Sequence, residues 1–234
     1  SSSIRIFNIS TNTYTTVWDG VVCSRPKWGK SDWIIFTSND ENVYKIKSDG
    51  SNFTQLTFTG GYHYPEFNST GDSIIVMYEY KNFNSYILDL DGNKVDSINY
   101  SVDNYSNWQK PGHVVTFMYD YIHVYDVWNN SISHVYQFPS YVAYYGSVSW
   151  INESEFLLST INGIYRVNST LTSVQKINQI CHSIFHNGCV SPDKTQIIWE
   201  RYDYSVIDSE HLKLEIPIML VNTNGELIDS IQFN

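Results

Sequence analysis

The densest set of chemically capable side chains is the run Cys181-His182-x3-His186-x2-Cys189, which offers four nitrogen and sulfur ligands. Zinc takes such donors, but structural zinc sites usually carry longer spacers between two ligand pairs. The i,i+4 histidine pair would also need a helix, and this run reads as strand and loop. A disulfide fits better. In an oxidising compartment Cys181–Cys189 is the bridge expected from proximity, and Cys23 is then left as a buried thiol. No metal and no cofactor is expected.

Nucleophilic catalysis finds no home either. A Ser-His-Asp hydrolase of the elbow type needs G-x-S-x-G, and the sequence has none. Gly146-Ser147-Val148-Ser149-Trp150 begins in the same way but lacks the second glycine. Phosphate-cradling loops and dinucleotide fingerprints are missing as well. Asp40-Glu41 and the Asp89/Asp91 pair bring carboxylates together, but in turn sequences, where acidic residues are expected for backbone reasons. No D-x-D-x-D-G loop is present to make a calcium site.

The elements that must carry these residues are strands. Runs of Ile, Val, Tyr, Phe and Thr alternate with Asn-Asp-Gly-Ser turns, and nothing keeps a helical period for three turns. Val43 to Thr57, with Asp49-Gly50 at its centre, reads as a tight hairpin, since Asp-Gly supplies positive φ. Similar hairpins are expected over 4–18, 85–100, 122–136, 163–177 and 216–231. Each of five copies adds an aromatic or apolar anchor before a buried strand: Trp28, Phe67, Trp108, Trp150 and Val190. These are 39, 41, 42 and 40 residues apart. A period near 40 made of four strands indicates propeller blades.

The fold class expected is therefore all-β, a β-propeller of four-stranded antiparallel blades in one domain spanning 1–234. The repeats run approximately over 19–59, 60–100, 101–141, 142–179 and 180–234, with an N-terminal hairpin at 1–18. Five full blades plus that half-blade is the preferred count, and a six-bladed ring is the alternative. Tyr202 to Glu215 is irregular and could hold a further strand. The anchors Trp28, Phe67, Trp108 and Trp150 are all expected to be buried between blades.

Tyr44 to Thr57, followed by Pro65-Glu66-Phe67-Asn68-Ser69-Thr70-Gly71-Asp72-Ser73-Ile74-Ile75, resembles the repeat of TolB-like β-propellers. Val190-Ser191-Pro192-Asp193-Lys194 keeps the Ser-Pro-Asp core of that repeat, while the copies at Trp28 and Trp150 are degraded. The resemblance implies a WD-repeat-like propeller fold and a protein-binding module. Similar blades also serve as gating domains of hydrolases and lyases.

Composition sets the surroundings. With 19 Tyr, 11 Phe and 7 Trp among 234 residues the chain has ample material for a core, so wholesale disorder is excluded. A formal charge of -10 with only 14 scattered Lys and Arg argues against a nucleic-acid surface. No apolar run is long enough for a membrane helix, so no membrane insertion is expected. Polarity carried by Ser, Thr, Asn and Tyr suits an extracellular or cell-surface protein. Sequons at Asn8, Asn52, Asn68, Asn99, Asn104, Asn129, Asn152 and Asn168 are candidate glycosylation sites, most of them in expected turns.

Function is expected where each blade contributes a loop to a common concavity. Arg25, His63, Tyr64, Tyr105, Tyr145 and His186 precede inner strands on that side and form the candidate channel mouth. His123 and His134 fall in strand patterns and read as packing or edge residues. A tyrosine-rich rim suits protein or glycan recognition, because the ring gives rigid apolar area and the hydroxyl a hydrogen bond. The expectation is a noncatalytic module binding other proteins or surface glycans, with self-assembly through the N-terminal hairpin into a cell-surface array or filament. The alternatives are an accessory or gating propeller of a hydrolase or lyase, and a metal-dependent propeller enzyme.

Overall fold

Alternating β-branched and aromatic residues fit a pleated, half-buried surface, and nearly every such run here is a strand. The computed structural model describes residues 3–8, 10–11, 13–79, 84–102, 107–110, 112–118, 121–138, 147–160, 163–178, 184–190, 195–206, 212–215, 218–222, 224 and 226–231. An N-terminal two-stranded sheet joins β1 (Ser3–Asn8) to β2 (Thr13–Asp19). The first blade holds β3 (Lys27–Trp28), β4 (Trp33–Thr37), β5 (Val43–Lys47) and β6 (Thr54–Gln55). The second holds β7 (Tyr62–Phe67), β8 (Ser73–Tyr78), β9 (Asn84–Asp89) and β10 (Lys94–Ile98).

Three further sheets follow. The third blade comprises β11 (Asn107–Lys110), β12 (His113–Met118), β13 (Tyr121–Asp126) and β14 (Ser131–Gln137). The fourth comprises β15 (Ser147–Trp150), β16 (Glu155–Thr160), β17 (Gly163–Asn168) and β18 (Val174–Asn178). The last contains β19 (Ile184–Val190), β20 (Gln196–Val206), β21 (Leu212–Glu215), β22 (Ile218–Asn222) and β23 (Leu227–Ile231). Every blade is an antiparallel meander, innermost strand first. In the last one β20 runs 11 residues, and β21 pairs with its far part, Asp203 to Val206. That pairing is the strand inside the irregular stretch 202–215. The chain divides into two compact units, Ser1–Asn104 and Tyr105–Asn234.

The outer hairpins share one turn device. The residue ending the third strand is Asp or Asn in most of them, and its side-chain oxygen accepts backbone N–H groups of the turn. Asp89 Oδ1 accepts from Asp91 and Asn93, both at 2.9 Å. Asp126 accepts from Trp128 and Asn129 at 2.9 and 3.0 Å, and Asn222 from Asn224 and Glu226 at 3.0 Å. Asn8 and Asn168 do the same at the ends of β1 and β17. Asn68 and Asn152 organise inner turns in this way. Four of the sequons thus have a structural use for their asparagine.

Within the first unit, the first and second blades meet through Ile35, Val43 and Leu56 on one side and Phe67, Ile74, Val76 and Leu88 on the other. Phe67 lies so close over Gly29 that a Cβ there would sit 2.5 Å from the ring. Ile4 and Val17 of the N-terminal hairpin cover Ile34, Phe36 and Ile46 on the far face of the first blade. In the second unit, Val115, Ile122, Val124 and Phe138 of the third blade pack with Trp150, Phe156 and Leu158 of the fourth.

Phe67, Trp108 and Trp150 are buried as their repeat position predicts. Trp28 is not: it is 56% exposed. Phe67 and Trp150 face the preceding sheet, and the sheet preceding Trp28 has two strands instead of four. β1 and β2 reach Ile34 and Phe36 but leave the innermost strand uncovered. The indole keeps one polar contact, Nε1 donating to Asp32 at 3.2 Å. A second correction concerns Cys23, which is a free thiol but exposed. Its backbone N–H is bound to Thr37 at 2.8 Å, and the neighbouring Ser24 turns inward instead, its Oγ accepting from Thr37 N–H at 2.9 Å. Cys181 and the side chain of Cys189 lie outside the described residues, so the bridge expected between them does too.

Candidate functional site

Three of the innermost strands, β7, β11 and β19, carry a register irregularity, placed just before the anchor in β7 and β19 and at the anchor itself in β11. In β7 the register steps from His63 opposite Met77 to Glu66 opposite Ile75, so three residues on β7 span two on β8. β11 makes the same step between Asn107 and Lys110, and β19 between His186 and Cys189. A bulge of this kind bends the strand and re-aims the side chains in it. In β7 it falls at Tyr64-Pro65, and Tyr64 adopts φ 54°. Left-handed backbone is costly for a bulky residue, more so ahead of proline. The fold holds Tyr64 in that geometry.

Arg25 occupies the matching place in the first blade, since Arg25-Pro26-Lys27-Trp28 aligns with Tyr64-Pro65-Glu66-Phe67. The segment before it is tied to the end of β4 by the Val22–Ser38 bridge and by Ser38 Oγ donating to Val21 O at 3.0 Å. Arg25 and Tyr64 are both half-buried. His63 is buried beside Tyr64, with ring centroids 6.1 Å apart. Its Nε2 lies 4.0 Å from Glu41 Oε2. Burial pushes the imidazole below its ordinary value, against the opposing pull of the Glu41 carboxylate.

Glu41 comes from the turn between β4 and β5, which a polar network holds rigid. Its carbonyl accepts from Tyr62 N–H at 2.9 Å, fixing the turn to the start of β7. Asn42 Oδ1 accepts from Thr57 Oγ1 at 3.1 Å and Gly60 N–H at 3.0 Å. Tyr44 donates to Asp40 at 2.6 Å. Desolvation, and then that hydrogen bond, push the Tyr44 phenol up to about 12. Burial works against ionisation of Asp40, but the bonds from Tyr44 and Asn42 outweigh it and hold its carboxyl below the usual range.

One position before each anchor, the inner strands carry polar residues: Lys27, Glu66, Asn107, Ser149 and Cys189. Three of these make two links between neighbouring blades. Lys27 Nζ meets Glu66 Oε2 at 2.5 Å, and Asn107 Nδ2 donates to Val148 O at 2.9 Å. Glu66 is almost wholly buried, and burial pushes its carboxyl up while the Lys27 ammonium pulls it back down. Neither Lys27 nor Glu66 was expected at the site. The signal for the pair was present, because Lys27 and Glu66 hold the same repeat position in successive blades.

The structure therefore places Arg25, His63 and Tyr64 at one end of adjacent inner strands, with Glu41 added. His186 sits in β19 at the position equivalent to His63, directly before the bulge, but its side chain lies outside the described residues. Tyr105, Tyr145 and His182 lie outside them as well. His123 and His134 are in β13 and β14, in keeping with packing and edge roles. Among the described residues no group of three or more His, Cys, Asp or Glu could hold a metal ion. No described helix is long and apolar enough to cross a membrane. What the site presents is an aromatic hydroxyl, a guanidinium, an imidazole and a carboxylate on rigid backbone. That set can bind by hydrogen bonding, stacking and charge.

No family model matches the chain, and no curated protein does. Solved structures do match. A protein assigned as TolB from Agrobacterium tumefaciens superposes with a TM-score of 0.71 at 16% identity, over 98% of this chain and 89% of that one. The β-propeller domain of Cps50 (Swd1) from Myceliophthora thermophila gives 0.56 at 11% identity, over 92% and 88%. The two likenesses and the four-stranded antiparallel blades establish the fold as a β-propeller.

Proposed function

We propose that this propeller is a noncatalytic recognition module, working outside the cell or at its surface, whose inner-strand mouth binds a protein or a surface glycan. The observation that carries the reading is Tyr64, held at φ 54° in a bulge beside His63. Strain of this kind costs about 1–3 kcal/mol and persists where the surrounding structure over-determines it, commonly at binding sites. The exposed Trp28 beside the two-stranded β1–β2 sheet supports the further element of the reading, self-assembly through the N-terminal hairpin.

Tyr64→Ala and His63→Ala are expected to weaken capture of the native partner by about tenfold or more, the loss typical of a central contact worth over 1 kcal/mol. Tyr64→Ala should leave the urea midpoint close to the parent's, because the strained tyrosine contributes little to folding. Unchanged capture by Tyr64→Ala together with Arg25→Ala would remove the mouth from consideration. Glycosylation belongs to the same reading. Protein from its native source should exceed the mass of the bare chain by whole glycan units, with Asn52, Asn99 and Asn129 (exposed turn residues) among the occupied sites. An intact mass equal to that of the bare chain would refute that.

A further inference from the structure

Single apolar side chains on a surface are common and mean little by themselves. Phe58 differs in how it is held. It is 76% exposed, more than any other large apolar residue described, yet the backbone on both sides of it is fixed. On one side Leu56 N–H donates to Val43 O at 2.8 Å, and the buried Thr57 accepts from Val43 N–H at 2.9 Å through its Oγ1. On the other, Gly60 N–H donates to Asn42 Oδ1 at 3.0 Å, and Gly61 O accepts from Glu79 N–H at 2.9 Å. Gly60 and Gly61 take φ of 69° and 80°, which glycine adopts without strain. A Cβ on Gly60 would stand 3.3 Å from Asp40 O, and one on Gly61 3.5 Å from the Glu79 side chain. The loop from β6 to β7 is thus clamped between the β4–β5 turn and the end of β8, and it holds the phenyl ring out into water.

The clamping segments are acidic. Asp40 and Glu41 after β4, and Glu79 after β8, are all exposed. Residues 38–42, 56–61 and 79 include no Lys or Arg. The Asp40 carboxylate is itself fixed, accepting from Tyr44 at 2.6 Å and from Asn42 Nδ2 at 3.0 Å. All of these segments lie at the end of the strands where β7 begins, the end that carries Tyr64.

We propose that this corner docks a basic protein partner: Phe58 fills an apolar pocket on the partner, and Lys or Arg around that pocket meet Asp40, Glu41 and Glu79. The proposal rests on the recognition reading and deepens it by naming the partner's chemistry. An aromatic anchor inside a polar rim is the usual make-up of a binding hot spot. Because the loop is already fixed, docking loses little conformational freedom. The three carboxylates complement a cationic rim, and the formal charge of -10 on the whole chain draws such a partner in. A neutral glycan would gain nothing from three charges, and Phe58 offers it no hydrogen bond. A second copy of this chain would bring like charge against like.

The probe is a dye-labelled peptide of alternating Lys and Leu, followed by fluorescence anisotropy against the full chain. Peptides of the same length alternating Lys with Ser, and Glu with Leu, are the comparisons. The Lys/Leu peptide should bind tightest. Its affinity should fall several-fold as ionic strength rises from about 0.01 M to about 0.15 M, which shortens the screening length from about 30 to about 8 Å. Phe58→Ala should weaken it about tenfold with circular dichroism unchanged. The triple variant Asp40→Asn, Glu41→Gln, Glu79→Gln should do the same and flatten the salt dependence. A second triple, Asp49→Asn, Asp72→Asn, Asp91→Asn, removes as much charge from exposed turns at the opposite strand ends and should leave affinity unchanged. Equal binding of the Lys/Ser peptide, or full affinity in Phe58→Ala, would overturn the proposal. So would equal losses in the two triples, since net charge alone would then be the cause. The mouth reports separately. If Tyr64→Ala weakens capture of the native partner and Phe58→Ala changes neither capture nor peptide binding, the corner is refuted and the recognition reading stands. If Phe58→Ala loses the peptide while Tyr64→Ala with Arg25→Ala captures as the parent does, the corner stands and the mouth falls.

Discussion

Trp150→Ala is expected to cost about 3–5 kcal/mol of stability, and Trp28→Ala less than about 1, although both tryptophans hold the same place in the repeat. Trp150 is 3% exposed and packs edge-on to Phe156 with ring centroids 5.1 Å apart. Around it the third and fourth blades contribute Val115, Val124, Phe138 and Leu158 to one cluster. Truncation there removes the transfer energy of an indole and leaves a cavity that two sheets must close. At Trp28 there is no such cavity to leave. Its indole loses one 3.2 Å bond to Asp32 and some contact with the first blade. Urea unfolding of the two variants and of Trp108→Ala separates the cases. Equal losses at positions 28 and 150 would mean that a full sheet covers Trp28 in solution, and that the two-stranded account of the N-terminus is wrong.

Why one anchor departs from the rest shows what could be read from the chain beforehand. Strand content, the hairpin turns and the 40-residue period were legible because each is written locally. Asp-Gly at 49–50 and 91–92 announces positive φ, and the Asx residues Asp89, Asp126 and Asn222 announce their turns. Burial of an anchor is not local. It depends on what precedes it in space, and the half-blade at Ser3 to Asp19 hides that from a repeat alignment. β21 was hidden for a similar reason, because β20 continues past the span shared with β22 and takes a second partner.

The site divides in the same way. Arg25, His63 and Tyr64 could be picked out by their place before the inner strands. The bulge that aims Tyr64 could not, since no Gly or Asn marks a positive φ there. Glu41 reaches His63 from the neighbouring blade's turn, 22 residues upstream in sequence. Pairs of this sort become visible only once the sheets are set side by side. Lys27 and Glu66 are the clearest instance.

Lys27→Met should be the most damaging single change at an inner strand that removes no apolar contact, at about 3–5 kcal/mol near neutral pH. Glu66 is 3% exposed, and Lys27 is the cation that pairs with it at 2.5 Å. Removing the ammonium leaves a carboxylate that must either stay ionised in an apolar setting or take up a proton. The loss should therefore depend on pH. Burial already raises the Glu66 carboxyl above 4.5 in the parent, and without Lys27 it rises further. A group whose folded value is raised is favourable below its unfolded value, and that advantage disappears as pH climbs through the folded one. The gap between parent and Lys27→Met should accordingly be widest near pH 7 and close progressively towards about pH 4.5. Lys27→Met combined with Glu66→Met should recover most of the loss, because replacing both members of a buried pair by apolar groups is often close to neutral. Urea midpoints for the four proteins at pH 7 and pH 5 measure this. If the single variant lost as much at pH 5 as at pH 7, or the double variant were no better than the single, the uncompensated Glu66 carboxylate would not be the cause, and Lys27 would matter through the packing of its stem against the second blade.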